Sequence, residues 1–263
     1  MLLRRITEHV KEQNWFAVGL DFCIVVAGIL IAFQITNWSE ARSARQLERE
    51  YMVLLARDIA TIETALRQQV VQDQHIATNA KKALKKINDR RSGMDPLDIG
   101  QSLTSIFGRR TLDLQSPTYS EMMSVGRLTL IQDTTLRNRI ISYFDEMQRL
   151  ERVAEQNNEF FVEKFTAFLR DSGLGYVPLP TADCPPSLSY AACGSSDLIS
   201  SVFGSEQTHS ASEVLGVDLD DPLWAKVRSH IVWRGVIAGA SVAFSKQALE
   251  DTQSLVTYLE AAQ

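Results

Sequence analysis

Twenty consecutive residues, GLDFCIVVAGILIAFQITNW (19–38), contain a single acid, Asp21, and no base. A stretch this oily restricts the chain to a membrane span, a cleaved signal or a deeply buried helix. The 21 residues from Phe16 to Thr36 would extend about 31 Å as a helix, matching a hydrocarbon core of roughly 30 Å. Trp15 and Trp38 bracket the run, where amphipathic rings settle at the two interfaces, so they are the expected interface anchors. Asp21 lies about one and a half turns inside, within reach of the headgroups and of the helix macrodipole, which favours an anion in the first turns. A signal peptide fits less well. Glu8 and Glu12 dilute the positive segment before the run, and the nearest small-x-small site, Ala41 to Ser43, has Arg42 at its centre. The layout expected is a tail over 1–15, a transmembrane helix over 16–38 and a body over 39–263.

The basic residues do not orient the span. Arg4, Arg5 and Lys11 precede it and Arg42, Arg45 and Arg49 follow it, a tie under the positive-inside rule. Cysteine usage favours one side. In PTADCPPSLSYAACGSS, eight residues separate Cys184 from Cys193, and a bridge there persists only in an oxidising compartment. The alternative is two independent thiols in a cytosolic loop. The disulfide reading gives a cytoplasmic N-terminus, a bacterial inner-membrane anchor and a periplasmic body.

Beyond the span the chain reads as all-α. Leu47, Tyr51, Leu54, Leu55, Ile62, Leu66, Val70, Ile76, Ala80, Leu84 and Ile87 recur at helical spacing, with no Gly or Pro before Gly93. One long helix therefore continues from the span. Asp95-Pro96, Ser116-Pro117 and Asp221-Pro222 each pair a capping residue with Pro at the first helical position. Asp133 caps a helix expected over 134–170, with Leu136, Ile140, Tyr143, Met147, Leu150, Ala154, Phe161 and Phe168 on a coiled-coil-like seam that Asn157 interrupts. Residues 172–220, rich in Pro, Gly and Ser, form a long loop. The last helix carries Leu223, Val227, Ile231, Ile237, Phe244, Leu249, Leu255 and Leu259. The simplest assembly is an antiparallel bundle of three long helices with a helical hairpin inserted.

Composition narrows the chemistry. A net charge of −5 gives nucleic acid no electrostatic purchase. The four histidines are scattered, no zinc spacing occurs, and no nucleotide loop, nucleophile elbow or metalloprotease motif is present. Asp218, Asp220 and Asp221 lack the Gly and terminal Glu of a calcium loop. No metal, no cofactor and no catalysis are expected.

Two stretches resemble an uncharacterised family of bacterial single-pass membrane proteins, classified only as a domain of unknown function. GLDFCIVVAGILIAFQITNWSEAR is similar to that family's anchor, with an acid near its start and a Gly-rich run ending in an I-A-x-Q pattern followed by Asn and Trp. TYSEMMSVGRLTLIQDTTLRNRIISYF resembles its mid-chain segment through Ser124, Gly126, Arg127, Leu128, Leu130, Ile131, Asp133, Leu136, Arg137, Tyr143 and Phe144. The resemblance implies a membrane-anchored helical protein and brings no catalytic residues with it. In physical terms Gly126 suits a left-handed helix end, and the segment reads first as a helix-turn-helix corner.

The remaining candidates are surfaces. Gly19, Cys23 and Ala27 recur every four residues in the span, and Gly28, Ala32 and Thr36 do so on another face; such stripes let helices approach closely in lipid. Gly235, Gly239 and Ala243 form a similar stripe in the last helix, expected to pack inside the bundle. Arg127 and Arg137, near a helix start, and the inward-lying Arg234 make up a candidate anion site. The expected function is a non-enzymatic interaction or assembly module, partnered by the membrane and by further copies or another membrane protein. The alternative is a ligand-sensing periplasmic ectodomain that signals through a partner, because a tail of about fourteen residues has no output domain of its own.

Overall fold

A computed structural model describes residues 15–89, 96–106, 108, 111–174 and 221–261. Among them no strand occurs, and six α-helices account for nearly all the backbone. They are α1 (Trp15–Asn88), α2 (Pro96–Thr104), α3 (Pro117–Ser124), α4 (Thr134–Asn157), α5 (Glu163–Asp171) and α6 (Pro222–Ala261). The chain divides into two compact units, Met1–Val53 and Leu54–Gln263, and α1 contributes to both.

The helix starts follow the capping logic of the sequence. Ser116 accepts the backbone N–H of Tyr119 at 3.0 Å, with Pro117 next in line. Asp133 accepts from Thr135 N at 2.7 Å and Leu136 N at 3.2 Å. Asp221 accepts from Leu223 N at 2.7 Å. Each such cap contributes about 1 kcal/mol. Asp95 lies outside the described residues.

In the second unit α1 and α6 pack antiparallel. Gly235 approaches Ala80, and Ser241 bonds Asp73, so positions rise on one helix as they fall on the other. Ile76, Ala80, Ala83 and Ile87 of α1 share one core with Ile99, Leu103, Phe165, Leu169, Trp224, Val227 and Ile231. Burying each large apolar side chain there stabilises by roughly 1.5–3 kcal/mol. Farther along, Leu55, Ile59, Ile62 and Leu66 of α1, Met122 of α3, and Leu136, Ile140 and Met147 of α4 are buried as well. Asp58 Oδ2 accepts from Ser116 Oγ at 2.6 Å and from Thr118 N at 3.1 Å, tying α3 to α1.

The expected continuous helix over 134–170 is broken in register. Asn158–Val162 forms a π turn between α4 and α5. The wider turn accommodates one additional residue, which rotates everything after it by about 100°. The seam accordingly leaves Phe161 and Phe168, both half-buried, and moves by one position to Val162, Phe165 and Leu169. Gly173, with φ +71°, closes α5 in the left-handed region.

Candidate functional site

The first feature is the apolar part of α1. Among the described residues it is the one helix long and apolar enough to cross a membrane, by length and composition a membrane anchor or a signal segment, and its apolar window is wholly exposed. Gly19, Cys23, Ala27, Gly28 and Ala32 are all exposed, and Cys23 is a free thiol. A Cβ added at Gly19 or Gly28 would meet nothing within 4 Å. Trp38 is exposed with the Arg42 guanidinium 5.8 Å from its ring centre, while the Trp15 side chain lies outside the described residues. At about 100° per residue, Asp21, Gly28 and Ala32 share one face, and Gly19, Cys23 and Ala27 lie on the other side. The macrodipole argument for Asp21 does not hold: the first turn of α1 contains no acid, and Asp21 lies beyond the reach of that effect.

The second feature is a polar layer between the two buried apolar sets of the helical unit. Gln69, Gln72, Asp73 and Arg234 are each at least nine-tenths buried. Arg234 Nε donates to the Ile106 carbonyl at 3.0 Å and Nη2 to the Gly108 carbonyl at 2.6 Å. Burial pulls its guanidinium down to about 10, opposed by Asp73, which holds it up; the group stays charged at neutral pH. Gln69 Nε2 donates to Asp73 Oδ2 at 2.7 Å, and Ser241 Oγ donates to the same oxygen. Asn157, Asn158 and these side chains line a cavity of about 20 Å³, room for a single water. Gln69 Oε1 is buried without a hydrogen-bond partner among the described residues.

The three arginines expected at an anion site have separate partners. Arg127 faces Glu121 at 3.6 Å, both half-exposed, and Arg137 points to the Ile131 carbonyl at 3.5 Å. Arg234 is spent on the carbonyls below α6. The corner itself is built as expected: Gly126 takes φ +69°, and Leu128 and Ile131 are buried ahead of the Asp133 cap. A short 3-10 turn, Arg127–Leu130, joins them.

A third feature had no counterpart in the sequence reading. Between the start of α4 and the end of α6 lies a groove of about 540 Å³, lined by Thr135, Asn138, Ser142, Glu146, Asp251 and Ser254 among others. Arg139 is held across it by Ser254 Oγ at 3.2 Å and by the Tyr258 ring at 4.7 Å. Tyr143 and Met147 line it too. The signal available was the pair of polar faces on two otherwise amphipathic helices, which periodicity alone cannot bring together.

The stripe at the start of α6 packs only in part. A Cβ at Gly235 would sit 3.2 Å from the Ala80 Cβ, but Gly239 has nothing within 4 Å and Ala243 is exposed. Phe244, expected on the apolar face, is 49% exposed. Cys184, Cys193 and nearly all of the loop over 172–220 lie outside the described residues, as does most of the tail. No family model matches the chain, nor does any curated protein or solved structure.

Proposed function

We propose that the chain is a membrane-anchored helical interaction or assembly module of the bacterial envelope, without enzymatic activity. The observation that carries this reading is the wholly exposed apolar window of α1, in a helix that continues into an all-helical unit. Burying such a surface in water would require another core, and none of it is buried within the chain. The anchor spans 16–38 and runs into an antiparallel bundle of long helices carrying the 172–220 loop. The N-terminus is cytoplasmic and the bundle periplasmic, where a Cys184–Cys193 bridge would persist. The resemblance of the anchor and the Gly126 corner to an anchored helical family supports the same layout.

A second reading, a ligand-sensing ectodomain that signals through a partner, is favoured by the groove between α4 and α6. Its volume lies within the range of small-molecule sites, and Arg139 is fixed in place there. Gentle solubilisation of the tagged chain from native membranes, with mass determination of the purified species, separates the two. A stoichiometric second protein supports assembly. A homo-oligomer alone shifts weight to sensing. Release of the chain by alkaline extraction refutes the anchor.

A further inference from the structure

The groove between α4 and α6 carries its charges at two separate levels. At one, the Arg139 guanidinium donates to Ser254 Oγ at 3.2 Å and lies 4.7 Å from the centre of the Tyr258 ring. Among the described residues no carboxylate stands within ion-pair distance of it. Seven residues farther along α4 comes Glu146, and seven residues back from Tyr258 along α6 comes Asp251; both line the groove. Arg149 already engages Glu146, and its hydrogen bond holds that carboxyl below the ordinary range. Asp251 accepts from Gln247 Nε2 at 3.2 Å, and no described cation pairs with it. The groove is therefore dipolar, with a guanidinium and a carboxylate about 10 Å apart along the helix axes.

Beyond the acidic level the lining turns apolar. A second hollow of about 260 Å³ shares Glu146 and Asp251 with the groove and continues past Leu150, Val153, Phe244 and Ala248. Phe244, left 49% exposed by the bundle, is part of that lining. Ser142 and Ser254 stand between the two charged levels.

This order of groups selects among ligands. A diacid would bring like charge to Asp251, and a diamine would bring it to Arg139. A single amino acid carries both signs but is too short to reach both ends. An extended chain advances at most about 3.3–3.6 Å per residue, so three residues match the separation. We infer that this groove binds a short peptide of about three residues by its two free ends. The terminal carboxylate lies on Arg139, the terminal ammonium on Asp251 with Glu146 beside it, and an apolar first side chain enters the hollow at Phe244. The inference rests on the sensing reading above and gives it a ligand; it does not depend on the anchor.

The test titrates the full chain, in mild detergent, with leucyl-alanyl-alanine by calorimetry. Saturable one-to-one binding is expected at millimolar peptide or below. Acetylating the amine or amidating the carboxylate should each weaken it about three- to ten-fold. Two variants assign the ends. Arg139→Gln should abolish the preference for a free carboxylate and keep that for a free amine, and Asp251→Asn should do the reverse. Binding indifferent to both caps, or a variant that loses both preferences or neither, overturns the inference. Native mass spectrometry of the purified chain separates the two levels. A different small molecule, bound to the parent and lost in Arg139→Gln, sinks the peptide but leaves the sensing reading. No peptide binding and no bound molecule sinks both.

Discussion

Ser241 on α6 donates its hydroxyl hydrogen to the carboxylate of Asp73 on α1, across 168 residues of sequence. The same oxygen takes the Gln69 amide, and the charge of Asp73 acts on buried Arg234. One carboxylate thus joins two antiparallel helices at the level where the core is polar.

Removing it should be costly. Asp73→Ala leaves the Arg234 guanidinium, 5% exposed, without its counter-charge, and is expected to destabilise the helical unit by roughly 3–5 kcal/mol. Ser241→Ala removes one bond and should cost about 1 kcal/mol. Urea unfolding of the full chain in mild detergent reads both. Equal effects from the two substitutions would show that Arg234 does not depend on Asp73.

Tyr143 gives the helical unit an alkaline limit. Burial is the largest cause of its rise from 10.0 to about 12, partly offset by its bond to Thr252. The folded chain therefore holds this proton more tightly than the unfolded chain. The contribution is complete below pH 10 and is lost as pH rises from about 10 to about 12, by roughly 2–3 kcal/mol in all. Stability followed across that range should fall, with phenolate absorbance from Tyr143 appearing toward its upper end. In Tyr143→Phe this part of the pH dependence should vanish.

Two glycines one turn apart in α6 should respond with opposite sign. Gly239→Ala meets nothing within 4 Å and gains helix propensity, about 1 kcal/mol of stabilisation. Gly235→Leu must displace Ala80, whose Cβ already stands 3.2 Å from the site of the first added carbon, at a cost of roughly 1–3 kcal/mol. Thermal melts of the two variants beside the parent provide the comparison.

Gly126 should tolerate no side chain. At φ +69° an alanine takes up the left-handed region at about 1–2 kcal/mol, although space for its methyl is free. Asparagine, which visits that region more readily, should recover part of the loss. A melting temperature unchanged by Gly126→Ala would mean that the corner between α3 and α4 has reorganised.

Local chemistry accounts for what could be read before any coordinates. Ser116-Pro117, Asp133 and Asp221-Pro222 announce helix starts because a cap and its N–H groups lie within three residues. The apolar run to Trp38 is legible for the same reason. The seam of α4 was legible as far as Leu150 and then slipped, since nothing in NNEFFV declares that one residue will be accommodated by a π turn. The partners of Arg234 are backbone carbonyls at 106 and 108, groups that every residue possesses, so no side-chain pattern could have named them. Gln69, Gln72 and Asp73 did leave a trace, as polar residues between Leu66 and Ile76 on a helix whose inward face is otherwise apolar. Gly239 and Phe244 were misplaced because the buried face of α6 runs through Ala238, Ser245 and Ala248, and at about 100° per residue both stand well to the side of that line.

The Asp58 carboxylate that completes the start of α3 comes from 58 residues upstream of Ser116. With only eight residues, α3 is far too short to persist by itself, and its cap is finished by a helix it must first meet. Its order therefore depends on contact with α1, which brings that carboxylate within 2.6 Å of Ser116 Oγ. Backbone protons in α3 should exchange whenever that contact opens, so their protection reports the hold of α1 on α3 and not the stability of an eight-residue helix by itself.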